Sequence, residues 1–223
     1  MHKPSPNTGL LIALLVLGCW LTSIILLMHW QFRWANPLIY VFVLVQMHLY
    51  TGLFITAHDA MHGTVSSNRT INNAIGYTAT LFYAAFWYPQ LYTKHHKHHT
   101  HVHSDEDPDY HHGSFWKWYF TFIRNYLSIW QIVVMAVLFN ILKIWIPQTN
   151  LILFWVVPSL LSTLQLFYFG TYLPHKGEHS NKHQSRSLPK NHLLAFISCY
   201  FFGYHYEHHD SPGTPWWMLW RLK

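Results

Sequence analysis

A chain of 223 residues that is 51% hydrophobic, 18% aromatic and only 10% charged is too apolar for an ordinary soluble domain, in which about a quarter of residues carry charge. The formal net charge of +6 does not indicate nucleic acid, because the cations flank apolar runs, where positive charge sets topology and meets anionic lipid. Two cysteines, Cys19 and Cys199, are too few for a disulfide framework.

Taken in chain order, residues 1–8 are a polar lead and residues 9–29 are almost wholly apolar. About 20 residues rising ~1.5 Å each cross a hydrocarbon core of ~30 Å. The run lacks a small-residue cleavage site and a second span follows at once, so it reads as a retained helix and not as a signal peptide. Trp30, Arg33, Trp34, Asn36 and Pro37 form an interfacial turn before a second span, 38–57, that ends at His58. Gln46 and His48 inside it read as polar side chains facing another helix. Residues 74–92 are apolar but interrupted by Gly76, Thr78, Thr80 and Pro89, which favours a re-entrant or interfacial helix. A polar turn comes next, at 104–109. Residues 115–127 mix aromatic residues with Lys117 and Arg124, like a helix lying in the interface. A third span is expected at 128–146 and a fourth at 151–173, joined by a short uncharged turn. A polar loop (174–191), an amphipathic stretch (192–204) and an aromatic tail (215–220) complete a single membrane domain, 1–223, with no internal repeat. The expected fold class is therefore all-α and integral to the membrane, with four transmembrane helices plus interfacial or re-entrant ones.

All eight acidic residues, and eleven of the fourteen Lys and Arg, fall within 58–127 and 174–223. Four spans put both stretches and Lys3 on one side, with Arg33 on the other. The positive-inside rule makes the crowded side cytoplasmic, so both termini are expected in the cytoplasm of a bacterial inner membrane.

Twenty histidines are present, and three clusters of them stand at the ends of apolar segments. The first is His58-Asp59-Ala60-Met61-His62. The second, His95-His96-Lys97-His98-His99, and the third, His205-Tyr206-Glu207-His208-His209, both read His-x2-His-His. Residues at i, i+3 and i+4 share a helical face, so each cluster can aim two or three imidazoles at one point. The clusters offer eight ligands (His58, His62, His95, His98, His99, His205, His208 and His209), too many for one metal and suited to two. In the crowded second cluster His96, His101 and His103 are alternatives if the register slips. Zinc sites usually take four ligands, and no cysteine lies near a cluster; a pair of oxygen-activating irons fits at least as well, with zinc and copper left open. Asp59, Glu207 and Asp210 adjoin these histidines and are expected to hydrogen-bond the far nitrogen of a ligating imidazole, a solvated charge being the alternative for Asp210. A histidine-rich metal transporter is the non-enzyme alternative, although the first and fourth spans carry no ionisable residue in mid-span, where transporters tend to place their ligands.

These clusters resemble the histidine boxes of the membrane fatty acid desaturase and hydroxylase superfamily of non-haem di-iron enzymes. Four segments are similar to the bacterial β-carotene ketolases within it: His58 to Gly63; the second box with Asp107-Pro108-Asp109; Phe169-Gly170-Thr171-Tyr172-Leu173-Pro174-His175; and His205 to Asp210 followed by Pro215-Trp216-Trp217. The resemblance implies His175 as a ninth ligand, with His179 as its competitor. It implies two irons, O2 as co-substrate, and oxidation of the C4 methylene of a β-ionone ring to a ketone. A fatty acid desaturase and a carotenoid ring hydroxylase are the alternatives sharing that site. No Gly-rich dinucleotide fingerprint opens a helix, so electrons are expected from a separate donor such as ferredoxin. The partners expected are thus a lipid-phase carotenoid, an electron donor and the membrane, with no nucleic acid.

Overall fold

The computed structural model describes residues 7–223; Lys3, assigned to the cytoplasmic side from the sequence, lies outside them. The described residues are helical, without strands. The elements are α1 (Thr8–Met28), α2 (Leu38–Met61), α3 (Arg69–Ala84), α4 (Tyr88–Thr100), α5 (Phe115–Tyr126), α6 (Ile129–Leu142), α7 (Gln148–His175), α8 (His192–Cys199) and α9 (His205–Asp210), followed by a 3-10 turn, Trp216–Arg221.

Three helices, α1, α2 and α7, are long and apolar enough to cross a membrane, and the bent pair α5–α6 makes a fourth if it counts as one span. The break falls where an interfacial helix, 115–127, is expected to give way to a third span from 128, although the helix that follows is shorter than the expected 128–146. Leu127 and Ser128 are extended, the Ser128 hydroxyl accepts from Gln131 N to start a new helix, and the two helices meet at 84°. The remaining helix has 14 residues, about 21 Å long at ~1.5 Å per residue, short of a ~30 Å core.

Direction is set by end contacts. The start of α1 lies against the loop after α2, since a Cβ on Gly9 would stand 2.6 Å from Thr64 O. The start of α7 packs on the end of α1, where Asn150 Nδ2 donates to Leu27 O (2.8 Å) and Trp30 O (2.9 Å). The C-terminal ends of α2 and α7 therefore meet at one end of the bundle, and α5–α6 carry the chain back to the other.

Helix α2 is central, with Tyr50, Leu53, Ile55 and Ala57 fully buried. Without a hydrophobic drive between helices in lipid, close approach and polar ties carry the packing. Gln46 accepts from Ser23 (2.7 Å) on α1, Thr51 bonds Ser162 (2.9 Å) on α7, and His48 stacks on Tyr200 at 4.3 Å. Leu11, Leu15 and Leu26 on α1, and Ile129 and Trp130 on α6, stay exposed, as a lipid-facing surface requires.

Two breaks set the site. Ala85 takes a left-handed conformation (φ 54°) that ends α3, and Pro89 opens α4 in the first turn, where a missing N–H costs nothing. Helix α7 contains two π-helical stretches, Ile152–Val156 just before Pro158 and Phe167–Tyr172 just before Pro174. A π-turn admits an extra residue and rotates the side chains beyond it, here His175.

Candidate metal centre

Each box sits on a helix end. His58 and His62 close α2, His95, His98 and His99 lie on α4, His205, His208 and His209 on α9, and His175 ends α7. Tyr200 (φ 46°) and Phe201 (φ 63°) turn the chain sharply between α8 and α9, and Leu188 N donates to Gly203 O (2.7 Å) to pin the turn.

The nine histidines fall into two groups. His58, His62, His95, His99 and His208 each place a ring nitrogen within 4.8 Å of the others', and so do His98, His175, His205 and His209. Helix α4 gives its i, i+4 pair (His95, His99) to the first group and its i+3 residue (His98) to the second. Helix α9 does the reverse: His205 and His209 go to the second and His208 to the first. The groups adjoin, with His99 and His209 stacked at 4.1 Å.

The donors fit a metal. His62 and His95 bring Nε2 atoms to 2.7 Å, His175 and His205 to 2.8 Å, and His99 and His208 to 3.0 Å. Two imidazole nitrogens ~2.1 Å from a shared ion at right angles lie about 3 Å apart. Buried ring nitrogens of His58, His98, His205, His208 and His209 have no partner among the described residues. Burial, reinforced by neighbouring imidazoles, lowers His62 to about 3 and His99 to about 2, and holds His95, His205, His208 and His209 well below the usual histidine range. These rings are neutral with lone pairs free, as metal ligation needs. His98 differs: burial opposes its charged form, but the Asp109 and Asp107 carboxylates outweigh burial and raise it.

Both groups open on one cavity of about 340 Å³. His58, His95 and His208 of the first group and His98 and His205 of the second reach its wall, and the remainder is largely apolar and aromatic, including Phe54, Phe86, Phe122 and Phe202. Phe120, Leu127 and Leu160 line it and are also 64%, 41% and 61% exposed, so it opens sideways between α5 and α7.

The model of the family described as fatty acid desaturase matches residues 32–148 and 116–223. The chain belongs to that family. It is similar to a β-carotene ketolase of Paracoccus sp. (strain PC1), 38% identical over 97% of this chain and 92% of that relative. It is also similar to a β-carotene 4-ketolase 3 of Haematococcus lacustris (38% identical, 80% of this chain, 60% of the relative) and a zeaxanthin 4-ketolase of Chlamydomonas reinhardtii (41%, 77% and 41%). The chain thus spans about three fifths and two fifths of those two algal relatives. No solved structure matches. Buried histidine groups in a membrane desaturase-family chain are compatible with a non-haem iron site.

The carboxylates expected beside the ligands of this desaturase-family chain are engaged elsewhere. Both Asp59 oxygens accept from Trp216 N at 3.2 Å, and Asp59 stays 3.8 Å from His58 Nδ1. Glu207 accepts from Ser187 and from Lys223 (2.9 Å); Asp210 pairs with Lys182 (2.5 Å) and His183 (3.4 Å). The reason is angular: one or two positions along a helix turn a side chain about 100° or 200° away from the ligand's face. Asp107 takes the role instead. It accepts from His98 Nδ1 at 2.9 Å, while its second oxygen accepts from His103 N at 3.0 Å. His175 Nδ1 donates to Gln184 O (2.9 Å). Each tether leaves Nε2 free for the group. Sequence reasoning missed Asp107 and Gln184; the acidic turn directly after the second box was the available signal for Asp107.

The alternatives stand outside both groups. His96 stacks on Tyr92 at 4.1 Å, His101 bonds Thr100 (2.8 Å), and His103 Nε2 donates to His175 O (2.8 Å). His179 is in neither group.

Proposed function

We infer that the chain is an O2-dependent oxidoreductase of carotenoids, a ketolase that converts the C4 methylene of a β-ionone ring to a ketone. The observation that carries this is a pair of imidazole groups opening on a single apolar cavity, in a chain 38% identical to a β-carotene ketolase along nearly its whole length. The desaturase or single-step hydroxylase reading has no comparable support.

His58, His62, His95, His99 and His208 would hold one iron, and His98, His175, His205 and His209 the other. When bound, the irons supply O2 activation and oxidation of an allylic C–H bond. The protein supplies place and surroundings. The cavity wall takes an apolar ring from lipid with little desolvation and excludes water from it. Asp107 and Gln184 O fix the tautomers of His98 and His175. The overall change, one CH2 to C=O, consumes two O2, four electrons and four protons and releases three waters, the last from a geminal diol.

The reading extends to setting. In this reading the chain is one domain that makes four traverses, with α5–α6 as the third, and its histidine groups lie at the cytoplasmic face of a bacterial inner membrane. The cation-rich side supports that orientation. The same cations favour an acidic one-electron donor of ferredoxin type.

Expression in cells that accumulate β-carotene, followed by pigment chromatography, tests the reading. Echinenone or canthaxanthin is expected. Zeaxanthin alone would indicate a ring hydroxylase, and unchanged pigment in metal-replete cells would remove both carotenoid readings.

A further inference from the structure

The cavity wall is apolar nearly everywhere, and most of its polar side chains are already engaged. Gln131 donates to Ala84 O (2.7 Å), Ser159 to Val156 O (2.8 Å) and Thr163 to Ser159 O (2.9 Å), while Tyr83 bonds Ser162 and Thr163. Asp109 differs. It lines the cavity, and one of its oxygens lies within 4.8 Å of a His98 nitrogen. Its Oδ1 accepts from the hydroxyl of Tyr126, which also lines the cavity. Its Oδ2 has no hydrogen bond among the described residues.

This pair is held from several directions. Asp109 N donates to Asp107 Oδ1 (2.9 Å), Trp118 Nε1 to Asp109 O (2.6 Å) and Asn125 Nδ2 to Pro108 O (2.8 Å). Lys94 bonds Asn125 O and stands 5.1 Å from the Tyr126 ring centre. The turn after the second box and the end of α5 are thus stitched together around a carboxylate that stands beside His98 and keeps one oxygen open, a rigid arrangement suited to recognition.

We propose that Asp109 and Tyr126 form the hydrogen-bonding handle that holds the C4 hydroxyl of a once-oxidised ring, so that the same carbon is oxidised a second time. The inference rests on the ketolase reading. A methylene has nothing to offer the handle, so the first oxidation depends on the apolar wall. The resulting alcohol is penalised by an apolar wall, because a buried hydroxyl without a partner loses its water bonds. Here that hydroxyl donates to Asp109 Oδ2, and the ring stays with C4 toward the histidines. Holding the alcohol in this way separates an enzyme that continues to the ketone from one that releases the alcohol.

The test is the ratio of 4-hydroxylated to 4-keto carotenoid in β-carotene-accumulating cells, with membrane protein level and iron per chain measured alongside. Tyr126→Phe, which removes the hydroxyl that fixes the Asp109 carboxylate and so frees it to turn away from the alcohol, is expected to raise that ratio by up to about tenfold, the size of the one hydrogen bond to substrate that is then lost. Asp109→Asn, which replaces a carboxylate oxygen with an N–H donor, moves it the same way. Less oxidised pigment with an unchanged ratio overturns the proposal, as does loss of iron in Tyr126→Phe, since either makes the pair structural. Should Tyr126→Phe fail to accumulate, Asp109→Asn decides; if neither accumulates, the pair is structural and the proposal falls. Wild-type protein that forms no oxidised carotenoid overturns the ketolase reading and this one together.

Discussion

His99 and His208 stand with Nε2 atoms 3.0 Å apart across 109 positions of sequence. The contact joins the i+4 residue of the α4 triplet to the i+3 residue of the α9 triplet, so neither triplet completes a group alone. Removing either ring should therefore weaken the first group while leaving His98, His175, His205 and His209 in place. His208→Ala is expected to abolish carotenoid oxidation and to lower bound iron by about half, with membrane insertion intact. Metal analysis of purified protein and pigment chromatography check this; wild-type activity would refute the ligand role.

Asp107 is the carboxylate that holds a clustered imidazole, and Asp210 is not. Asp107→Asn should cost about 10- to 100-fold in activity or iron affinity, the usual size for a residue that orients a ligand. Asp210→Ala, which removes a contact at the exposed Lys182, should leave pigment conversion unchanged. Measuring both under equal expression separates positioning from mere proximity in sequence.

Gly76 on α3 faces the first residue of the helix that carries the second box. A Cβ there would lie 2.4 Å from the Tyr88 ring. Gly76→Ala should destabilise the protein by about 1–3 kcal/mol through overpacking. Thermal unfolding in detergent reads the loss, and iron content should fall with it as α4 shifts.

Chelation should remove both activity and part of the stability, because neutral buried imidazoles are left without a partner when the ion departs. Fe(II) is expected to restore oxidation and Zn(II) to restore only melting temperature. Equal recovery of activity with zinc would exclude redox chemistry at the site.

Much of this centre was legible in the sequence because spacing is local. His95, His98 and His99, and likewise His205, His208 and His209, share a helical face whatever the tertiary fold. What spacing could not supply was the division of each triplet between two groups, which depends on how α4 and α9 face one another. The break after residue 127 was legible, because Lys117 and Arg124 mark 115–127 as interfacial, but the 84° angle and the shortness of α6 depend on packing that spacing does not reveal. Asp107 lay in a turn that reads as solvated until His98 is seen to reach it.

The sideways mouth between α5 and α7, rimmed by Phe120, Leu127 and Leu160, has a consequence for traffic. A long polyene need present only one terminal ring, leaving its rod in the bilayer. Oxidation of the other end would then require a separate visit, with a return to the lipid pool in between. The protein handles the substrate as a lathe handles a bar, working one end at a time.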